Sequence, residues 1–195
     1  FRKTGGNPFF IAEVTRSCYI NKRVKISSRK WSLQNGADNL QSTLPLSSII
    51  NGSIDLLPDT WKKTLQVCAV MGEHLPAGIL AKVKVSLPDN WFSIDALRYL
   101  TERRFLERKQ TAFDDNFKFR HDLLREAALS GITAENNRRI HQAVAEAFES
   151  AFSENDAYSL IIAEHWCNSG NNMKTLKWGQ KALDLSIRTF KTDKK

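Results

Sequence analysis

The apolar positions of this chain change period several times, and each change marks an element. Behind Pro8, residues Phe9, Phe10, Ile11, Val14 and Cys18 follow helical spacing to about Tyr19. Pro8 suits a first helical turn, where its missing N–H would have no partner anyway. Over 21–46 the helical period disappears. Val24 and Ile26, then Trp31 and Leu33, alternate around Ser27-Ser28, which predicts a small hairpin followed by a linker at 35–43. From Leu46 the helical period returns through Ile49, Ile50, Ile54 and Leu57, and Pro58 breaks it. Trp61, Leu65, Val67, Cys68 and Val70 predict a second helix of this group, with Asp59 at its start and Gly72 at its end. A short helix is predicted over 77–83, then a turn at Pro88-Asp89-Asn90. Ser93 N-caps the next helix, whose buried stripe is read as Ile94, Leu97, Leu100 and Tyr99.

The period then shortens to two. Residues 105–108 read as a strand, 113–116 as a bend, and 117–120 as the returning strand, where Phe117 and Phe119 alternate with Lys118 and Arg120. Asp122 is read as the N-cap of a helix carrying Leu123, Leu124, Ala127 and Ala128. Three helices followed by a hairpin are the order of a winged-helix module. Beyond 131 the pattern is purely helical. Ile140, Val144, Ala147, Phe148 and Phe152 mark one helix, and Tyr158, Ile161, Ile162, His165 and Trp166 the next. A loop at 168–172 containing Gly170 follows, then a helix through Leu176, Trp178, Ala182, Leu183, Leu185 and Ile187. Two helices joined by a short glycine-containing loop, with small residues such as Ala163 and Ala182, match one tetratricopeptide-type unit. Such arrays need about three repeats for stability. The expected fold is mainly α: a helical segment, a winged-helix domain with a small β-hairpin, and TPR-like antiparallel helices. The boundaries are 1–43, 44–133 and 134–195.

Composition narrows the chemistry. The hydrophobic fraction of 42% suits a real core. No apolar run approaches a membrane span, and no secretory signal is visible. The opening FRKTGGNP, without an initial Met, reads as a piece of a longer protein. Cys18, Cys68 and Cys167 are widely spaced and form no CxxC pair, which fits reduced thiols and a cytoplasmic setting. His74, His121, His141 and His165 lack metal-ligand spacing with them, so no metal site is expected. His141 and His165 are read as packing residues. The net charge of +8 is uneven, since residues 1–31 hold eight Lys or Arg against Glu13 alone, leaving about +1 for the rest. Such an end suits nucleic acid, phosphates or an acidic partner, and equally a solvated face. No phosphate-cradling Gly-x4-Gly-Lys-Ser/Thr loop is present, and no Ser-His-Asp, Cys-His or paired-carboxylate constellation stands out. No catalysis is therefore expected within these residues.

One junction carries candidate chemistry. His121 sits where a strand passes into a helix, and a helix N-terminus attracts phosphate through unpaired amides and its dipole. A titratable imidazole there adds a donor. The plainer reading has Asp122 capping the helix and His121 packed in a satisfied core position. Both stand at this level. Arg125, Arg138 and Arg139 suit a phosphate or an acidic partner, and more commonly such residues form solvated helix faces.

With these segments placed, the chain resembles the C-terminal part of STAND-type AAA+ signalling ATPases, as found with bacterial nucleotide cyclases, Ser/Thr kinases and LuxR/MalT-like regulators. The resemblance covers nearly the whole chain. It rests on TGGNPFFIAEV at 4–14, LPLSSIINGSIDLLPDTWKKTLQVCAVMG at 44–72, LRYLTERRFLE at 97–107, FKFRHDLLREAAL at 117–129, RRIHQAVAEAFE at 138–149 and AEHWCNSGN at 163–171, in that order. It implies that 1–43 end the ATPase helical subdomain, with Gly6-Asn7-Pro8 matching a Gly-x-Pro element whose proline lies against adenine. It also implies that His121-Asp122 match the His-Asp motif that closes the winged helix, whose histidine reaches the β-phosphate of ADP. Arg120 stands where some relatives carry a hydrophobic residue. The nucleotide-binding set so implied is Gly6, Asn7, Pro8, His121 and Asp122. ADP or ATP, with Mg in the full-length protein, would be the cofactor, and none is expected on the isolated fragment.

The resemblance makes the chain a regulatory, nucleotide-sensing and protein-interaction fragment of a signal-transduction ATPase. Its partners would be the rest of its own ATPase domain and a protein or small-molecule inducer on the repeats, with no membrane contact. The alternative is a winged-helix DNA-binding fragment of a transcriptional regulator, reading through 93–104 with Arg98, Arg103 and Arg104. Asp95, Glu102 and Glu107 leave that face near neutral.

Overall fold

The computed structural model describes residues 6, 8–20, 22, 24–27, 30–33, 46–110 and 115–192. The expected linker at 35–43, and Phe113 and Asp114 of the expected bend, lie outside them. Helix α1 (Pro8–Ile20) is followed by an antiparallel pair, β1 (Val24–Ser27) and β2 (Lys30–Leu33), with Ile26 opposite Trp31. The alternation of Val24 and Ile26, then Trp31 and Leu33, predicts this hairpin, with Ser27 paired to Lys30 at its end.

The middle of the chain runs α2 (Leu46–Asp55), α3 (Asp59–Met71), β3 (Leu75–Pro76), α4 (Ala77–Ser86), α5 (Ile94–Glu102), β4 (Leu106–Gln110) and β5 (Asp115–Phe119). The strands form a three-stranded antiparallel sheet in the order β3-β5-β4, with Leu75 and Arg108 both opposite Phe117. Strand β3 was not expected. It has two residues and a proline, too short for any periodic signal, and it exists because β5 offers an edge. Asp115 and Asn116, read as part of a bend, are the first residues of β5. Pairing with Gln110 and Lys109 of β4 holds them extended.

Helix α3 is the centre of the core, with every residue from Thr64 to Met71 buried. Ser93 caps α5 as its sequence position implied, accepting from the Ala96 amide at 3.4 Å. Its own N–H donates to Thr64 Oγ1 at 3.1 Å, which ties the cap to α3. The stripe of α5 differs from expectation at its first residue. Ala96, Leu97 and Leu100 are buried, but Ile94 is 68% exposed. Tyr99 is half-buried against Trp61, with ring centroids 4.0 Å apart.

Helix α6 (Asp122–Ser130) packs on α2 and α3. Two hydrogen bonds fasten it. Arg125 Nε donates to the Ala69 carbonyl at 3.0 Å, and Gln66 Nε2 to the Gly131 carbonyl at 3.1 Å. Arg125 is therefore a tie between helices and not a solvated side chain.

The rest is helical: α7 (Ala134–Phe152), a 3-10 turn at Asp156–Tyr158, α8 (Ser159–Ser169) and α9 (Asn172–Thr192). Contacts descend α7 as they ascend α8, from Phe152–Tyr158 to His141–His165, so the two are antiparallel. Helix α9 returns along α8 behind the loop at Gly170, with Trp178 buried at 1% exposure. On the opposite face of α9, Leu176, Leu183 and Ile187 are exposed. Helix α7, nineteen residues long, also packs on α4, and one continuous apolar core runs from Phe10 to Trp178. Among the described residues no helix is long and apolar enough to cross a membrane.

Candidate functional site

The His-Asp junction forms where the alternation of β5 ends. Phe119 is buried, Arg120 is exposed, and the Arg120 N–H donates to the Phe105 carbonyl at 3.1 Å, closing the hairpin. The next residue must leave the sheet. His121 keeps extended backbone angles (φ −147°, ψ 139°) and its carbonyl accepts from the Leu124 amide at 3.0 Å, so it is the N-cap of α6. This corrects the placement of the cap at Asp122. Asp122 is the first helical residue and is exposed, where a carboxylate favours the positive helix end. The His121 side chain does not cap its own helix, so its ring is directed elsewhere.

It meets α1. The His121 and Phe10 rings lie 5.0 Å apart between centroids, tilted by 41°. Phe10 is buried and lies in the first turn of the helix that Pro8 opens. Helix α2 packs between these elements, touching α1 on one side and α6 on the other. The buried carboxylate Glu13 of α1 accepts from Ser53 Oγ of α2 and lies 3.5 Å from Arg16. The Ser53–Glu13 bond ties α1 to α2, and the Phe10–His121 contact brings together the two segments singled out from opposite halves of the chain.

Gly6 has φ 78°, a left-handed conformation that costs glycine little and other residues more. Pro8 is exposed at the first turn of α1. Asn7 lies outside the described residues. His121 is half-buried and not enclosed. Burial lowers its pKa below the ordinary histidine value, and Arg120 lowers it further, while Asp122 and Glu107 act the other way. The ring is therefore neutral at pH 7 and has one N–H to donate. A neutral imidazole thus lies at the N-terminus of α6, beside the helix that Pro8 opens.

The cations of the neighbouring module are largely engaged. Lys118 pairs with Glu107 at 2.8 Å, Arg108 with Asp115, and Arg98 with Asp95 at 3.3 Å. Arg103 donates from Nε to the Tyr99 hydroxyl at 2.8 Å. Arg138 and Arg139 are exposed, and Arg139 pairs with Glu135.

A second polar cluster escaped the sequence reading. His141 of α7 and His165 of α8 meet through their Nδ1 atoms at 2.8 Å. His165 also stacks on Phe148 at 6.2 Å. Burial lowers both imidazoles to about 4. Both are neutral at pH 7, and one Nδ1–H donates to the other's bare Nδ1. Beside them Glu149 accepts from Trp166 Nε1 at 3.1 Å and from Lys174 Nζ at 2.6 Å. Helical spacing had placed both histidines in packing, but nothing local marked them as partners.

Among the described residues, no group of three or more His, Cys, Asp or Glu is placed to hold a metal. No family model matches the chain, and no curated protein matches it.

Proposed function

We propose that this chain is the nucleotide-sensing and protein-interaction part of a multidomain signal-transduction ATPase, with the chemistry done by another part of that protein. The observation that carries the reading is the Phe10–His121 ring contact. It sets the imidazole beside the helix that opens at Pro8, although neither segment announces the other in sequence.

In this reading 44–133 is a winged-helix domain. The order α3-β3-α4-α5-β4-β5, with β5 central in the sheet, supports that assignment. Helices α7 to α9 begin a TPR-like array, which their antiparallel packing supports. Pro8 holds the base of a bound ADP, and His121 donates to a phosphate at the N-terminus of α6. The nucleotide supplies the negative charge that makes the closed arrangement favourable. An inducer on the helical array opens it by shifting the population between the two arrangements. The DNA-binding alternative draws less support, because Arg98, Arg108 and Lys118 already hold carboxylates.

The test is ADP affinity of the full-length protein with His121→Ala. A hydrogen bond to a charged group contributes roughly 1.5–3 kcal/mol, so affinity should fall about tenfold to a hundredfold, and basal activity should rise. Wild-type affinity together with wild-type basal activity would refute the sensor.

A further inference from the structure

Ile94, the apolar residue found exposed, lines a cavity distinct in its lining from the His-Asp junction. It lies between α4, α5 and the sheet, with a volume of about 460 Å³. Two helical stripes line it at the same spacing: Ala77, Leu80, Ala81 and Lys84 from α4, then Ile94, Leu97, Arg98 and Thr101 from α5. Spacing of three and four residues puts each stripe on one helix face. The third wall is the sheet face carrying Phe117, with Arg108 opposite it in register and Asp115 two residues along. Leu80 and Leu97 are buried, so they form the floor, while Ala81 and Ile94 are exposed at the mouth.

The size and chemistry suit a small molecule. Ligand pockets span about 300–1,000 Å³ and combine apolar walls with a few placed polar groups. Here the walls are aliphatic and aromatic, and the charges stand at the rim. Three lining cations, Lys84, Arg98 and Arg108, face two lining carboxylates, Glu102 and Asp115. Arg108 is held by Asp115, and Arg98 by Asp95. Lys84 has no carboxylate within ion-pair distance among the described residues, and it extends the apolar stripe of α4 by one turn. A ligand that matches this surface is apolar along its length and anionic at one end.

We propose that this cavity binds a small apolar molecule carrying one carboxylate, with its body against Leu80, Leu97 and Phe117 and its carboxylate beside Lys84. The site is independent of the nucleotide reading. Occupancy bridges α4, α5 and the hairpin, so the ligand stiffens the module between α1 and the α7–α9 array.

Decanoate and decan-1-ol, titrated calorimetrically into the 195-residue chain below micelle-forming concentrations, test it. Decanoate should bind saturably at one site. Lys84→Glu should weaken decanoate at least tenfold and leave decan-1-ol unchanged. Ala81→Trp, at an exposed lining position, should fill the mouth and abolish both. Should that variant fail to fold, Ile94→Glu serves, with the same loss of decan-1-ol binding. The proposal is overturned by non-saturable decanoate binding, by decanoate affinity indifferent to Lys84→Glu, or by binding that survives the filled mouth.

Discussion

At the residue scale, the clearest consequence of burial is the His141–His165 pair. Each ring has its pKa lowered from 6.5 to about 4 because burial disfavours the charged form. As pH falls, the unfolded chain takes up these protons before the folded one. The contribution is whole above about pH 6.5 and is lost progressively down to about pH 4. The expected outcome is a melting temperature that drops between pH 7 and pH 4.5 in the wild type. The double variant His141→Leu with His165→Leu should lack most of that drop. An equal pH dependence in both proteins would show that other groups set the acid lability. Cys68 is the bland counterpart: fully buried in α3, with burial pushing its thiol up to about 12, it is an inert core residue, as its apolar neighbours implied.

At the element scale, the sheet depends on how α3 ends. Gly72 follows α3 with φ 121° and ψ −156°, a region open essentially to glycine alone. That conformation turns the chain so that Leu75 reaches Phe117 within three residues. A Cβ added at Gly72 meets nothing within 4 Å, so the penalty of Gly72→Ala is backbone strain and not a clash. It should cost about 1–3 kcal/mol in urea denaturation. A change below 0.3 kcal/mol would mean that the turn has another accessible path. The sequence marked Gly72 as a helix stop but carried no sign of the strand behind it. A helix stop is a local property, whereas β3 exists only because β5, far along the chain, supplies its partner.

At the scale of the whole molecule, the core is continuous. Helix α7 contacts α3 and α4 on one side and α8 on the other, and the apolar cluster includes both Leu124 and Trp178. The described residues should therefore melt largely as one unit, with tryptophan fluorescence and circular dichroism coinciding. Trp178→Ala, which empties a nearly fully buried position, should cost roughly 3–5 kcal/mol and lower that one transition. Two separated transitions, of which only the later helices respond to Trp178→Ala, would show that the α7–α9 array folds on its own. The opposite face of α9 is apolar as well, and Leu176 and Leu183 stand exposed there. Periodicity marks the helix but counts apolar positions without knowing which face has a neighbour.

The sequence by itself determined the order of the helices and of the two hairpins, where Ser93 caps, and that Cys68 is core. These follow from spacing within a few residues, where backbone geometry dictates which side chains share a face. Only the tertiary structure decided that His121 faces Phe10, that His141 finds His165, that Arg125 ties α6 to α3, and that Ile94 opens onto a cavity. Each of those outcomes depends on which remote surface packing brings up. A local pattern can set the face a residue points from, but not what that face will meet.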